Sequence, residues 1–222
     1  MRLGHPLDST GGRWQAPGSM QQTIVTLDLE GVLVPEIWIA VAESTSVDAL
    51  RRTTRDEPDY DVLMRGRLAL LDEHDLTMSR ITDVIATLDV LPGARDFLDE
   101  LRGRTQVVIL SDTFEQFAVP FMRQLGMPTI FCHSLVVVAD RIVDYQLRQH
   151  DQKRHAVEAF RGLNYRVVAA GDSFNDSSML GAADAGIWFC SPPSIVAQFP
   201  QFPAAETYDD LLDLIANALP SG

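Results

Sequence analysis

The chain has 222 residues, 46% hydrophobic and 22% charged. That is enough for one domain of ordinary size plus an inserted subdomain, with ample apolar material to offset chain entropy. Asp and Glu number 31 against 18 Lys and Arg, a formal charge of −13, which repels nucleic acid and anionic membranes and obliges any anionic substrate to meet a local cationic site.

The first 19 residues carry Gly, Pro, Ser and Asp but no apolar core. They read as a disordered N-terminal extension rather than a secretory signal. No apolar run approaches the ~18 residues of a membrane span, and a cytoplasmic location is expected. Cys132 and Cys190 lie far apart without metal-type spacing and are expected to be buried, reduced thiols.

Residues 23–27 form a short apolar run that ends abruptly in Asp28-Leu29-Glu30-Gly31, the pattern of a buried strand with carboxylates at its end. From Pro35 to about Leu88 the spacing of apolar residues is helical, with no core strand. A helix over 94–101, a strand over 106–110 ending at Ser111-Asp112-Thr113, and a helix entered at Phe114 follow. A strand over 128–132, a hairpin of 135–138 and 142–145 around Ala139-Asp140, and a helix over 151–161 capped by Asp151 come next. A strand over 167–170 ends at Gly171-Asp172-Ser173. A helix over 175–180, a strand over 185–189 and a last helix over 208–219 complete the chain. Strands separated by helices predict an α/β fold, a doubly wound parallel sheet with ligands at the carboxyl ends of its strands.

Three polar clusters therefore share one edge: Asp28 with Glu30, Ser111, and Asp172 with Asp176. Carboxylates this crowded repel one another by several kcal/mol, a conflict that a divalent cation resolves, and oxygen-only ligands suit Mg²⁺. The 18 basic residues include a single lysine, Lys153, between the Ser111 and Asp172 clusters. A compact ammonium beside a carboxylate and a phosphoryl group does what a broad guanidinium fork does poorly. The five histidines lack zinc spacing, and no phosphate-binding glycine loop or serine-hydrolase elbow occurs.

In this order the motifs Asp28-Leu29-Glu30-Gly31-Val32, Ser111-Asp112-Thr113, Lys153 and Gly171-Asp172-Ser173-Phe174-Asn175-Asp176 resemble those of the haloacid dehalogenase-like phosphohydrolases. Within that superfamily the chain resembles the phosphoserine phosphatase family. The likeness is strongest to its bifunctional subgroup, which also transfers phosphate from phosphoserine to homoserine, through residues 28–38, 53–56, 71–74 and 199–203. The resemblance implies a core of residues 20–36 and 91–222, with a small helical cap, residues 37–90, inserted after the first strand.

It also implies roles. Asp28 would be the nucleophile and a metal ligand, and Glu30 the general acid and base, with its carbonyl on Mg²⁺. Asp172 would complete the direct metal ligands, and Asp176, also counted with the metal site, would stand behind it holding Lys153 and metal-bound water. Ser111 and Lys153 would grip the phosphoryl oxygens. Arg67 and Glu36 would bind the carboxylate and ammonium of the substrate, and Asp112, Thr113 and Asn175 would complete substrate binding. Two departures stand out: Glu30 where most relatives have Asp, and Asp112-Thr113 where typical phosphoserine phosphatases have two glycines. The expected partners are small molecules, phosphoserine and homoserine, with a homodimer also entertained. A rival reading, a receiver-like module that merely accepts phosphate, is disfavoured by Glu30 and the helical insertion after the first strand; a phosphatase of another small phosphate monoester stays open.

Overall fold

The computed structural model describes residues 21–220 except Arg55 and Pro58, so the expected disordered extension lies outside the described residues. The first strand, β1 (Thr23–Leu27), is followed by three helices, α1 (Ile37–Thr45), α2 (Tyr60–Glu73) and α3 (Met78–Ile85), with a 3-10 turn at Asp48–Arg51. Asp59 starts α2 by accepting the backbone N–H groups of Asp61 and Val62, and Thr77 starts α3 in the same way, which satisfies donors that a helix start leaves orphaned. The chain continues as α4 (Ala94–Arg104), β2 (Gln106–Phe114), α5 (Glu115–Gln124), β3 (Thr129–Val138) and β4 (Arg141–Gln146). Then come α6 (Gln152–Gly162), β5 (Arg166–Gly171), α7 (Ser177–Ala182), β6 (Ala185–Phe189), α8 (Pro193–Gln198), β7 (Ala204–Ala205) and α9 (Tyr208–Ala218).

The strands form one sheet in the order β4-β3-β2-β1-β5-β6-β7, parallel except for the β3–β4 hairpin. Alternate residues of β1 and β5 enter different apolar clusters. Val25, Val168 and Ala170 pack with residues of α1 to α5 and α9; Ile24, Val167 and Ala169 pack with α6, α7 and α8. A parallel sheet buried on both faces needs this continuous apolar run. The chain leaves β1 toward β2 on one side and joins β5 on the other, so the carboxyl end of β1 is a topological switch point, where such sheets bind ligands. Among the described residues no helix is long and apolar enough to cross a membrane.

The structure corrects several local expectations. The strand expected to stop at Leu110 runs on to Phe114, with a register shift after Leu110, because Ser111 to Thr113 find polar partners inside the fold. The expected break around His133 is absent, and β3 is one continuous strand. Ala139 and Asp140 form the hairpin turn with positive φ at both positions, as a primed turn requires. Asp151 precedes α6 but does not cap it with its side chain; its carboxylate pairs with Arg154 and accepts from Ser178 Oγ at 2.9 Å. Residues 174–176 form a 3-10 turn before α7. Neither α8 nor β7 is foreseen, being only six and two residues long. Both cysteines are free, but Cys132 is only half-buried and Cys190 is exposed, contrary to the expected burial.

Candidate active site

Asp28 follows β1 directly, its backbone N–H still bonded to Ala170 O at 3.0 Å. Its Oδ1 accepts the Leu29 N–H at 2.7 Å and faces Lys153 Nζ at 2.8 Å. The turn beyond it needs Gly31. With φ +77° and Asp172 pressed against it, an added Cβ would lie 2.4 Å from Asp172 Cγ, well inside contact distance. Gly171, at the end of β5, has the same relation to Asp176, 2.4 Å from that Cγ. Two missing side chains thus let two carboxylates close on the end of β1.

The Ser173–Asp176 turn is a capping box. Asp176 Oδ2 accepts the N–H groups of Asp172 and Ser173, both at 3.1 Å, while Oδ1 accepts from Lys153 Nζ at 2.7 Å. Both oxygens are spent, and Asp176 is fully buried. Asp28 and Asp172 by contrast line a cleft, together with Glu30, Glu36, Ser111 and Arg67.

Oxygen atoms of Asp28, Asp172 and Asp176 lie within 4.8 Å of one another. Burial, then the Asp176 charge, pushes the Asp28 carboxyl well above its ordinary value despite Lys153, a sign that one ammonium does not neutralise the cluster. An anionic, all-oxygen donor set of this kind fits a hard divalent cation such as Mg²⁺. Asp28 and Asp172, which line the cleft, could ligate it, while one oxygen of Asp176 is taken by Lys153.

Glu30 accepts the Ile37 N–H at 2.9 Å. Burial, followed by the charge of Glu36, pushes its carboxyl up to about 7, the value a group needs to give and take a proton near neutrality. Glu36 stands at the start of α1 without capping it. Arg67, on α2, is buried; it donates to Arg52 O at 2.7 Å and stacks over Trp38 at 4.6 Å, leaving Nε buried without a partner. Trp38 also packs edge-on against Phe117 and walls the cleft.

Ser111 is buried, its Oγ accepting the Thr113 N–H at 3.2 Å. Thr113 is buried beside Glu30. Asp112 turns inward: Oδ2 accepts from Asn175 Nδ2 at 3.0 Å and lies 3.6 Å from Lys153 Nζ. Burial favours its neutral form, yet Lys153, His133 and Asn175 together hold it well below the usual carboxylate range. Ten of the eleven residues singled out in the sequence line one cleft, and the eleventh, Asp176, is buried behind it against Lys153. Among the residues about the cleft that were not singled out are Tyr60, whose hydroxyl donates to Asp112 O at 2.9 Å, Thr53 and Thr54, and Gln152, which donates to Ser111 O. Gln152 precedes Lys153 at the start of α6, which is the only sequence signal that could have found it.

The sequence profile of the haloacid dehalogenase-like hydrolases matches residues 23–184. A protein named phosphoserine phosphatase from Pseudomonas syringae is 59% identical over 197 residues, 88% of this chain and 83% of its own length. Another, named phosphoserine phosphatase ThrH, from Pseudomonas aeruginosa, is 62% identical over 189 residues, 85% and 92% of the two chains. The solved structure of a substrate-bound phosphoserine phosphatase superposes with a TM-score of 0.74 at 21% identity, over 90% of this chain and 99% of that one, a likeness of fold.

Proposed function

The chain belongs to the haloacid dehalogenase-like hydrolases, and on that premise we propose that it is a Mg²⁺-dependent phosphoserine phosphatase acting through an aspartyl-phosphate on Asp28. The observation that carries the reading is Lys153, a buried ammonium held between Asp28 at 2.8 Å and Asp176 at 2.7 Å, in the cleft that Arg67 and Glu36 also line.

In the first half-reaction an Asp28 oxygen attacks phosphorus in line, the bond from phosphorus to the serine oxygen breaks, and Glu30 gives its proton to that oxygen. In the second, Glu30 takes a proton from water as the water oxygen attacks phosphorus; the bond to Asp28 breaks and inorganic phosphate leaves. Lys153 and Ser111 hold the phosphoryl oxygens, where charge builds in the transition state. Asp28, Asp172 and the Glu30 carbonyl would hold Mg²⁺, which would supply charge neutralisation at the phosphoryl group.

Recognition of the amino acid falls to Arg67 and Glu36. An unpartnered buried guanidinium nitrogen is a strong incentive to bind a carboxylate, and Glu36 suits the ammonium. Thr113 and Asn175 complete the substrate contacts. Residues 37–90 act as a cap over the core of 20–36 and 91–222, excluding water while the aspartyl-phosphate persists. Homoserine carries the same ammonium and carboxylate as serine, so it can occupy the same subsite and receive the phosphoryl group in place of water.

The test is a panel of phosphate monoesters with purified protein and Mg²⁺, read as free phosphate, and as phosphorus NMR with homoserine added. Phosphoserine should exceed other monoesters by at least about tenfold in kcat/KM, and phosphohomoserine should accumulate with homoserine present. A better substrate lacking the amino-acid head would replace this reading with that of a phosphatase of another small monoester.

A further inference from the structure

Asp112 is the carboxylate of this site that the chemistry above does not use. Its surroundings are those of an anchor. Oδ2 takes a hydrogen bond from Asn175 at 3.0 Å and lies 3.6 Å from Lys153 Nζ. Oδ1 takes one from Gln152 Nε2 at 3.3 Å and faces His133 Nε2 at 3.6 Å. Asp112 therefore ties β2 to the loop after β5 and to the first turn of α6.

The protons around it can be assigned. His133 is buried on β3, and its Nδ1 accepts the Arg148 N–H at 3.1 Å, so the ring of a neutral His133 carries its hydrogen on Nε2. The two hydrogens of Gln152 Nε2 go to Ser111 O and Asp112 Oδ1, leaving none for the imidazole 3.4 Å away. Gln152 Oε1 meanwhile accepts Arg148 Nε at 3.0 Å, which fixes which end of the amide is which. Both Nε2–H groups thus aim at Asp112 Oδ1. His133 at 3.6 Å is long for a hydrogen bond and acts chiefly through its dipole.

We propose that Asp112 is a positioning residue, held from behind by His133 and Gln152, that fixes Lys153 and Asn175 for the phosphoryl group rather than touching the substrate itself. The alternative, a substrate ligand, requires Asp112 to offer a free oxygen. Both oxygens already have partners, and a carboxylate facing a phosphate dianion would repel it. A negative charge spent on Lys153 is useful in another way: it keeps a flexible four-carbon side chain in one place, so that less order has to be created when the transition state forms.

This inference rests on the phosphatase reading, and wild-type turnover of phosphoserine separates the two. Absence of that turnover defeats the reading itself; turnover with the wrong variant pattern defeats only the role of Asp112. Steady-state constants for phosphoserine and the inhibition constant of inorganic phosphate would be measured for wild type, Asp112→Asn, His133→Gln, His133→Leu and Asp112→Asn combined with His133→Leu. Melting curves would confirm folding.

For Asp112→Asn, kcat should fall at least about tenfold, while neither KM nor the phosphate inhibition constant rises, because a repulsive charge has left and the clamp has loosened. His133→Leu should lower kcat in the same pattern. Gln in place of His133 offers a donor near the position of Nε2 and should stay within about threefold of wild type. On the Asp112→Asn background, His133→Leu should add less than about twofold, the coupling expected of two groups acting through one. A rise in KM or in the phosphate constant with kcat preserved would make Asp112 a substrate ligand and overturn the proposal. Independent, multiplying losses in the double variant would equally overturn the role given to His133. Should His133→Leu not fold, the kcat-against-KM pattern of Asp112→Asn decides alone.

Discussion

Lys153 Nζ lies 2.8 Å from Asp28 Oδ1 and 2.7 Å from Asp176 Oδ1, so the single lysine of the chain joins the end of β1 to the loop after β5. Burial opposes its charge, but Asp176, Asp28 and Asp112 keep it protonated, well above the ordinary lysine value. The residue is only 3% exposed, and a planar guanidinium replaces a compact buried ammonium poorly. Lys153→Arg should therefore lower kcat for phosphoserine by at least about a hundredfold, the scale of losing one transition-state donor. Steady-state phosphate release checks this, and near-normal turnover by the Arg variant would remove Lys153 from the chemistry.

Arg67→Ala separates recognition from catalysis. If the guanidinium reads the substrate carboxylate, kcat/KM for phosphoserine should drop by about 2–3 kcal/mol. An aryl phosphate, which has no carboxylate, should be affected far less. Equal losses on both substrates would show that the cleft itself had been disturbed.

Glu30 links the site to pH. Folding raises its carboxyl from 4.5 to about 7, so between those values the folded protein binds more protons than the unfolded chain and stability falls as pH rises. In metal-free protein, Glu30→Gln should stabilise by about 1–3 kcal/mol at pH 8 and have little effect at pH 4. Thermal melts at the two pH values read this directly; a stabilisation independent of pH would contradict it. The same variant should lose phosphatase activity, since an amide neither gives nor takes the proton.

Much of this site was legible in the sequence because its chemistry is written locally. An apolar run ending in Asp28 and Glu30, another ending in Gly171 and Asp172, and a solitary lysine need no tertiary knowledge. What escaped depends on contacts between distant parts of the chain. Ser111 to Thr113 look like a loop until Gln152, 41 residues away, and Asn175, 63 residues away from Asp112, supply partners that let β2 continue through them. His133 and Ser134 likewise look like a break in β3 until the imidazole is seen turned inward. Short elements such as α8 and β7 carry too few residues for any periodicity to register. Asp151 has the right residue type for a cap, yet its own positive φ of 46° and the nearby Arg154 and Ser178 take its side chain elsewhere.

Gly31 tests the packing behind the acidic cluster. With φ +77° and Asp172 Cγ 2.4 Å from where a Cβ would sit, Gly31→Ala should cost about 1–3 kcal/mol of stability. If Asp172 ligates Mg²⁺, the ion should raise the melting temperature of the wild type, and displacement of Asp172 should weaken that rise. A variant that melts like wild type and responds equally to Mg²⁺ would show that Asp172 need not sit where the structure places it.

The central claim is that Asp28 carries the phosphoryl group during turnover. The direct measurement is acid quenching of the protein in mid-turnover with phosphoserine and Mg²⁺, followed by mass spectrometric mapping of the peptide that contains Asp28. The account predicts one phosphoryl group on Asp28 in wild type, shed within the turnover time once substrate is exhausted, and neither adduct nor turnover in Asp28→Asn. Undiminished phosphoserine hydrolysis by Asp28→Asn, or a phosphoryl group mapped to another side chain, would contradict it.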